Sequence, residues 1–323
     1  DVIRIDAVPY IWKELGTDCR NLPQVHTIVR MMRMIGEIVC PGVLLLGEVV
    51  MEPEKVAPYF GTVEKPECHM LYNVTTMATL WHSVAARDAR LLKHQMKAIS
   101  RLPDTCLFLN YLRCHDDIGW GLDYPLLESW GMKQVPHKKY LNDFFTGKIP
   151  ESFSRGELYN EDPVTGDARF CGTTASMCGV ERAGFEMDDA GMDHGIGRIL
   201  CLHGFLFFLS GIPVLYSGDE IGQVNDYTYK DNPEKAADSR YIHRGRFHWE
   251  LTGCIKDGGS VQGRIFSGLK QMEELRRGEP LFGADARFSV RETWDDSVLC
   301  LVREQEQGKL VGIFNFHDYE RIA

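Results

Sequence analysis

The sequence predicts an incomplete α/β barrel, with a subdomain inserted over one barrel loop and an antiparallel β region at its C-terminal end. Three observations lead there. Short apolar, strand-like runs alternate with long helix-like segments. Acidic residues stand at or just past three of these runs: Asp6 after residues 2–5, Glu48 after 43–47 and Asp116 after 107–110. Carboxylates at strand ends are how a (β/α) barrel builds an active site. Finally, only five barrel strands can be counted in the 323 residues, where eight close a barrel.

The elements follow in order. Residues 2–6 read as a strand. Pro23 suits a first helical turn, and Val25, Ile28, Val29, Met32 and Ile35 continue at helical spacing. Residues 43–47 and 69–73 are strands, 78–99 a long helix, and 106–110 a fourth strand. Residues 120–190 mix aromatics, Gly and turn formers, with a strong turn signal at 162–167; they read as an insertion with one or two short helices. The apolar stretch 199–216 approaches a membrane span in length. His203, Ser210 and the break at Gly211-Ile212-Pro213 divide it into a buried helix, a tight turn and a buried strand. An irregular loop over 221–258 precedes a helix at 260–276 and short strands from 287 onward. This gives a barrel portion over 1–280 and the start of a β domain over 285–323.

Composition narrows the function classes. The apolar fraction of 44% and charged fraction of 25% are ordinary for a soluble globular chain. A net charge of −10, with no run of Lys or Arg, argues against a nucleic-acid partner. No membrane partner is expected either. The ten cysteines are scattered without CxxC or zinc spacing and fit buried, reduced thiols of a cytoplasmic protein. No signal peptide is visible, but the chain begins at Asp1 without Met, so that carries little weight.

The chemistry rests on the strand-end acids. Arg4 and Asp6 lie two apart on a strand and share a face, and a neighbouring cation keeps a carboxylate ionised, as a nucleophile requires. Glu48 emerges from three leucines and a glycine, surroundings that tend to raise a carboxyl pKa and suit a general acid. Asp116 and Asp117 are adjacent, so they serve different contacts, with His115 beside them. Taken singly, these residues read more readily as an edge ion pair, a helix-start acid and an N-cap. Three together fit two-carboxylate glycoside chemistry with a third acid assisting. Nothing calls for a metal or other cofactor.

The segments RIDAVPYIWKELGT, GVLLLGEVV, NYLRCHDDIGW and GIPVLYSGDEIG resemble the strand-end motifs of the α-amylase superfamily. Their order, the insertion and DSRYIHRGRF resemble the amylosucrases and their sucrose-cleaving relatives. The resemblance implies that Asp6 is the nucleophile, Glu48 the general acid/base and Asp116 the acid that steadies the transition state. It implies that Arg4 and His115 line the glucose subsite and that Asp117 and Arg169 hold the fructose side of sucrose. Arg240 would close the glucose pocket by pairing with an acid from an early barrel loop. The implied reaction is transfer of glucose from sucrose to an α-glucan. Hydrolysis is the alternative within the superfamily, and a non-catalytic barrel relative the alternative outside it. An aldolase-type barrel would show a strand-end Lys or a phosphate-binding Gly-rich loop, and the acidic 217–220 segment suits neither.

The resemblance also implies that these strands are barrel strands four to eight. The chain is then expected to be a fragment of a longer polypeptide, with open apolar edges at residues 2–6 and 214–217 and with little stability or activity alone.

Overall fold

The computed structural model describes residues 1–51 and 53–321, with the backbone alone at 53 and 54. In chain order the first elements are β1 (Val2–Ile5), α1 (Pro23–Val39), β2 (Leu44–Gly47), the short α2 (Pro53–Val56), β3 (Met70–Tyr72), α3 (Val74–Ala86), α4 (Arg90–Ile99) and β4 (Leu107–Tyr111). The insertion holds β5 (Ile118–Gly119), α5 (Tyr124–Ser129), α6 (Gln134–Phe145), β6 (Glu157–Tyr159), β7 (Arg169–Cys171), α7 (Thr174–Met177) and α8 (Val180–Glu186). Then come α9 (Asp189–Phe208), β8 (Ile212–Val214), α10 (Val261–Gly278), β9 (Arg287–Arg291), β10 (Val298–Gln305) and β11 (Gly308–Asn315).

The five expected barrel strands form one parallel sheet in the order β1-β2-β3-β4-β8. Parallel neighbours need crossovers, and α1, the segment with α2, α3–α4 and the insertion with α9 supply the four. The C-terminal ends of the strands therefore collect on one side, and Asp6 and Glu48 follow β1 and β2 directly. Gly47 is required there, because a Cβ at that position would meet Cys68 Sγ at 2.7 Å. The turn before β8 is equally exacting: Gly211 has φ 99°, and a Cβ would lie 2.1 Å from the Phe108 carbonyl oxygen.

The largest buried apolar cluster joins α3 and α4 to the insertion, α9 and the C-terminal sheet. Trp81, Phe145 and Phe170 pack edge-on or stacked, and the Trp81 indole N–H donates to the Leu112 carbonyl at 2.8 Å. The antiparallel sheet β11-β10-β9 closes over α9 through Phe205, Phe208 and Phe314. No described helix is long and apolar enough to cross a membrane.

Several expectations change. The long helix at 78–99 is two helices, α3 and α4, because Arg87 adopts a left-handed conformation (φ 51°) and the Asp88 carboxylate accepts the Arg90 N–H at 2.9 Å. The insertion carries four helices and a three-stranded antiparallel sheet, β5-β7-β6, whose strands are too short to leave a periodic pattern. The turn at 162–167 forms as expected, with Asp162 accepting the Val164 N–H. β8 is not buried, since it is a sheet edge, and Ile212 is 41% exposed. All ten cysteines are unpaired; Cys68, Cys171 and Cys178 are buried, whereas Cys40 and Cys254 are exposed. Residues 322 and 323 of the expected β domain lie outside the described residues.

The open edges are as expected. β1 ends one side of the sheet and β8 the other. Val2 and Ile3 are each 52% exposed, and on α1 the apolar stripe continues into open solvent at Met34, Ile35, Ile38 and Val39.

Buried histidines give the fold a pH dependence. His82 has neither ring nitrogen hydrogen-bonded. Burial, with His137 nearby, pushes its pKa down to about 3, and burial next to Arg113 does the same to His243. Both are depressed below the unfolded value of 6.5, so their stabilisation is full above pH 6.5 and is lost as pH falls toward 3. Each costs up to ~1.4 kcal/mol per pH unit in that window. The urea midpoint is expected to drop between pH 7 and pH 5, and His82→Phe to flatten that slope; an unchanged slope would contradict the assignment.

Candidate active site

Arg4 organises the first part of the site. Its Nη1 donates to Asp6 Oδ1 at 2.7 Å, and its Nη2 lies 3.0 Å from Glu48 Oε1. One guanidinium thus holds both carboxylates, each on its own strand end. Asp6 is mostly exposed, and the hydrogen bond from Arg4 holds its carboxyl below the usual carboxylate range. Ala7, between Asp6 and the turn Val8–Tyr10, takes a left-handed φ of 44°, and its N–H donates to Glu48 Oε2 at 3.1 Å. A non-glycine residue held there is strained, and the strain sits between the two acids. The sequence suggested an apolar setting for Glu48; its carboxylate instead takes a cation and a backbone N–H, neither of which the strand pattern reveals.

Asp116 lies five residues past the end of β4. It is shared by His115 Nε2 at 3.1 Å, Arg240 Nη1 at 3.4 Å and Arg244 Nη2 at 3.2 Å. Asp117 turns away from it, as expected, and pairs with Arg169 Nε at 3.2 Å. Burial lifts the Asp117 carboxyl above its ordinary range despite Arg169. Arg240 pairs with Asp238 through two hydrogen bonds, of 2.9 and 2.8 Å, besides reaching Asp116, and it lies over the Tyr159 ring. The resemblance implied an acid from an early barrel loop as its partner; among the described residues Asp238 and Asp116 hold it.

These groups line one cavity of about 580 Å³, with Asp6, Glu48, Asp116, Asp117, Arg169 and Arg240 on its wall. Arg4 and His115 stand at its edge through Asp6 and Asp116. The cavity is ample for a hexose and an acceptor group. The sequence reading missed Arg244, which also donates to the His115 carbonyl oxygen. The signal was present: two arginines four apart in DSRYIHRGRF, of which only the first was singled out.

Among the described residues, Cys114, His115 and Asp116 bring donor atoms within 4.8 Å of one another. Burial pushes the Cys114 thiol up to about 11, and Asp116 already faces two arginines. A protonated thiol and a paired carboxylate make a poor cation site.

No family model matches the chain. In sequence it is 26% identical over 320 residues to glucosylglycerate phosphorylase of Escherichia coli strain K12, covering 98% of this chain and 53% of that protein. It is 32% identical over 224 residues to trehalose synthase/amylase TreS of Mycolicibacterium smegmatis, covering 69% of this chain and 32% of that protein. In structure it matches sucrose 6F-phosphate phosphorylase from Thermoanaerobacter thermosaccharolyticum with a TM-score of 0.69 at 18% identity, over 98% of this chain and 56% of that one. An α-amylase from H. orenii matches with a TM-score of 0.52 at 15% identity, over 91% and 47%. The chain shares with these enzymes an α/β fold built on a parallel sheet. It spans about half the length of the curated phosphorylases it matches.

Proposed function

We propose that these residues carry the catalytic acids of a retaining α-glucoside-acting enzyme. The observation that supports this most is the single arginine holding Asp6 and Glu48, which keeps the carboxyl groups as close neighbours. Retention needs them roughly 5–5.5 Å apart across the scissile bond. Asp6 attacks the anomeric carbon of the donor and forms a covalent β-glucosyl ester. The bond to the leaving oxygen breaks as Glu48 delivers its proton there. In the second half, Glu48 takes the proton from the acceptor hydroxyl, the acceptor oxygen bonds to the anomeric carbon, and Asp6 leaves. Asp116 accepts sugar hydroxyls and steadies the oxocarbenium-like transition state, while Arg240 and Arg244 fix its orientation.

The donor reading is a sucrose-type α-glucoside, with an α-glucan as acceptor. A second reading is phosphate as acceptor, favoured because three of the curated relatives are phosphorylases that match 94–98% of this chain. Asp117 and Arg169 form the acceptor side in both. β1 and β8 are the two ends of the five-stranded sheet, and a closed barrel around this pocket would need further strands between them.

The experiment is product analysis by the complete protein, with sucrose or glucosylglycerate as donor, and with or without phosphate. Oligosaccharide in both conditions supports glucan transfer, and α-glucose 1-phosphate only with phosphate supports phosphorolysis. Release of β-glucose at first formation would contradict the retaining mechanism itself.

A further inference from the structure

Arg113 and Asp219 form an ion pair that the chemistry above does not use. Arg113 Nε and Nη2 lie 2.9 and 2.8 Å from Asp219 Oδ1, and the side chains are only 2% and 1% exposed. The guanidinium stacks over the Tyr216 ring at 4.3 Å, and its Nη1 donates to the His243 carbonyl oxygen at 3.5 Å. The other Asp219 oxygen accepts the Thr174 hydroxyl at 2.9 Å. Neither charged residue lines the catalytic cavity.

A buried pair is a costly way to gain stability, since both ions lose their hydration. What this pair gains is placement. It ties four segments at one point: the strand-end loop after β4, the turn Asp219–Ile221 after β8, the start of α7, and the turn Ser239–His243. Two of these segments carry the acid and its holders. Arg113 is two residues before His115, and His243 stands between Arg240 and Arg244, the two arginines on Asp116. His243 Nε2 also approaches the His115 carbonyl oxygen at 3.3 Å.

We propose that the Arg113–Asp219 pair is a positioning device that sets the Asp116 carboxylate against Arg240 and Arg244. The inference rests on the functional reading above. Arg113→Lys keeps the charge and loses the fork that reaches both Asp219 and the His243 carbonyl. In the complete protein it lowers kcat at least tenfold while the donor KM moves less than threefold, because Asp116 acts on the transition state. Affinity for a glucose-configured iminosugar, which carries the charge of that state, falls in step with kcat.

A purely structural role is separated by the double variant Arg113→Met, Asp219→Leu. It removes both charges, so it recovers the thermal midpoint lost in Asp219→Asn, yet its kcat stays at least tenfold down. The proposal is overturned if Arg113→Lys has the kcat of the unsubstituted protein, or if the double variant regains kcat together with its midpoint. Should the double variant not fold, Arg113→Lys alone decides. Absence of turnover in the unsubstituted protein counts against the functional reading; normal turnover with an unimpaired Arg113→Lys counts against the pair alone.

Discussion

Asp6→Asn in the complete protein lowers donor turnover by at least about three orders of magnitude and leaves the thermal midpoint within a few degrees of the parent. Both halves of this result follow from the geometry. The carboxylate is mostly exposed, so removing its charge disturbs no core packing. Its partner Arg4 retains Glu48 at 3.0 Å and is not left without a counter-ion. The amide cannot attack as a carboxylate does, because the anion that Arg4 maintains is gone. Steady-state kinetics beside a melting curve measures both. A loss below tenfold would remove Asp6 from the nucleophile role. Unfolding of the variant would show that Asp6 is structural.

The second large effect concerns the sheet edges. Expressed as these 323 residues alone, the chain is expected to self-associate and to lack measurable turnover. Among the described residues β1 and β8 each pair with a neighbouring strand on one side only, and parallel sheets are stable when their edges and faces are covered. Exposed Val2, Ile3, Ile38 and Val39 add apolar area beside the β1 edge. Size-exclusion chromatography with light scattering reads the association, and a donor assay reads the activity. A monomer that melts cooperatively above about 55 °C and cleaves sucrose would contradict this account of the edges.

Much of this architecture was legible in the sequence, and the exceptions have physical reasons. The five parallel strands could be placed because apolar runs bounded by acids or turns leave a strong local pattern, as at residues 43–47. α1 was placed for the same kind of reason, because Pro23 opens it; at the start of α10 the structure adds that the Ser260 hydroxyl accepts the Gly263 N–H. The break between α3 and α4 was hidden because Arg87 in a left-handed conformation is a tertiary outcome, with its guanidinium drawn to Asp318. β5, β6 and β7 have two or three residues each, below the length at which alternation can be counted.

The site divides in the same way. Arg4 beside Asp6 follows from strand periodicity, and the divergence of Asp116 from Asp117 follows from their adjacency. Long-range partners do not follow from either. Arg244 on Asp116 spans 128 residues, and Arg113 on Asp219 spans 106. No local pattern encodes such a distance; the fold has to bring the segments together first.

In the proposed reaction Asp6 becomes covalently glucosylated while Glu48 handles the proton. The most direct measurement uses a 5-fluoro-α-glucosyl fluoride, which loads a retaining enzyme and slows its release. After reaction with the complete protein, digestion and mass spectrometry are expected to find one added fluoroglucosyl group on the peptide containing Asp6, and none in Asp6→Asn. A label on another carboxylate, or turnover with no covalent species, would contradict the account.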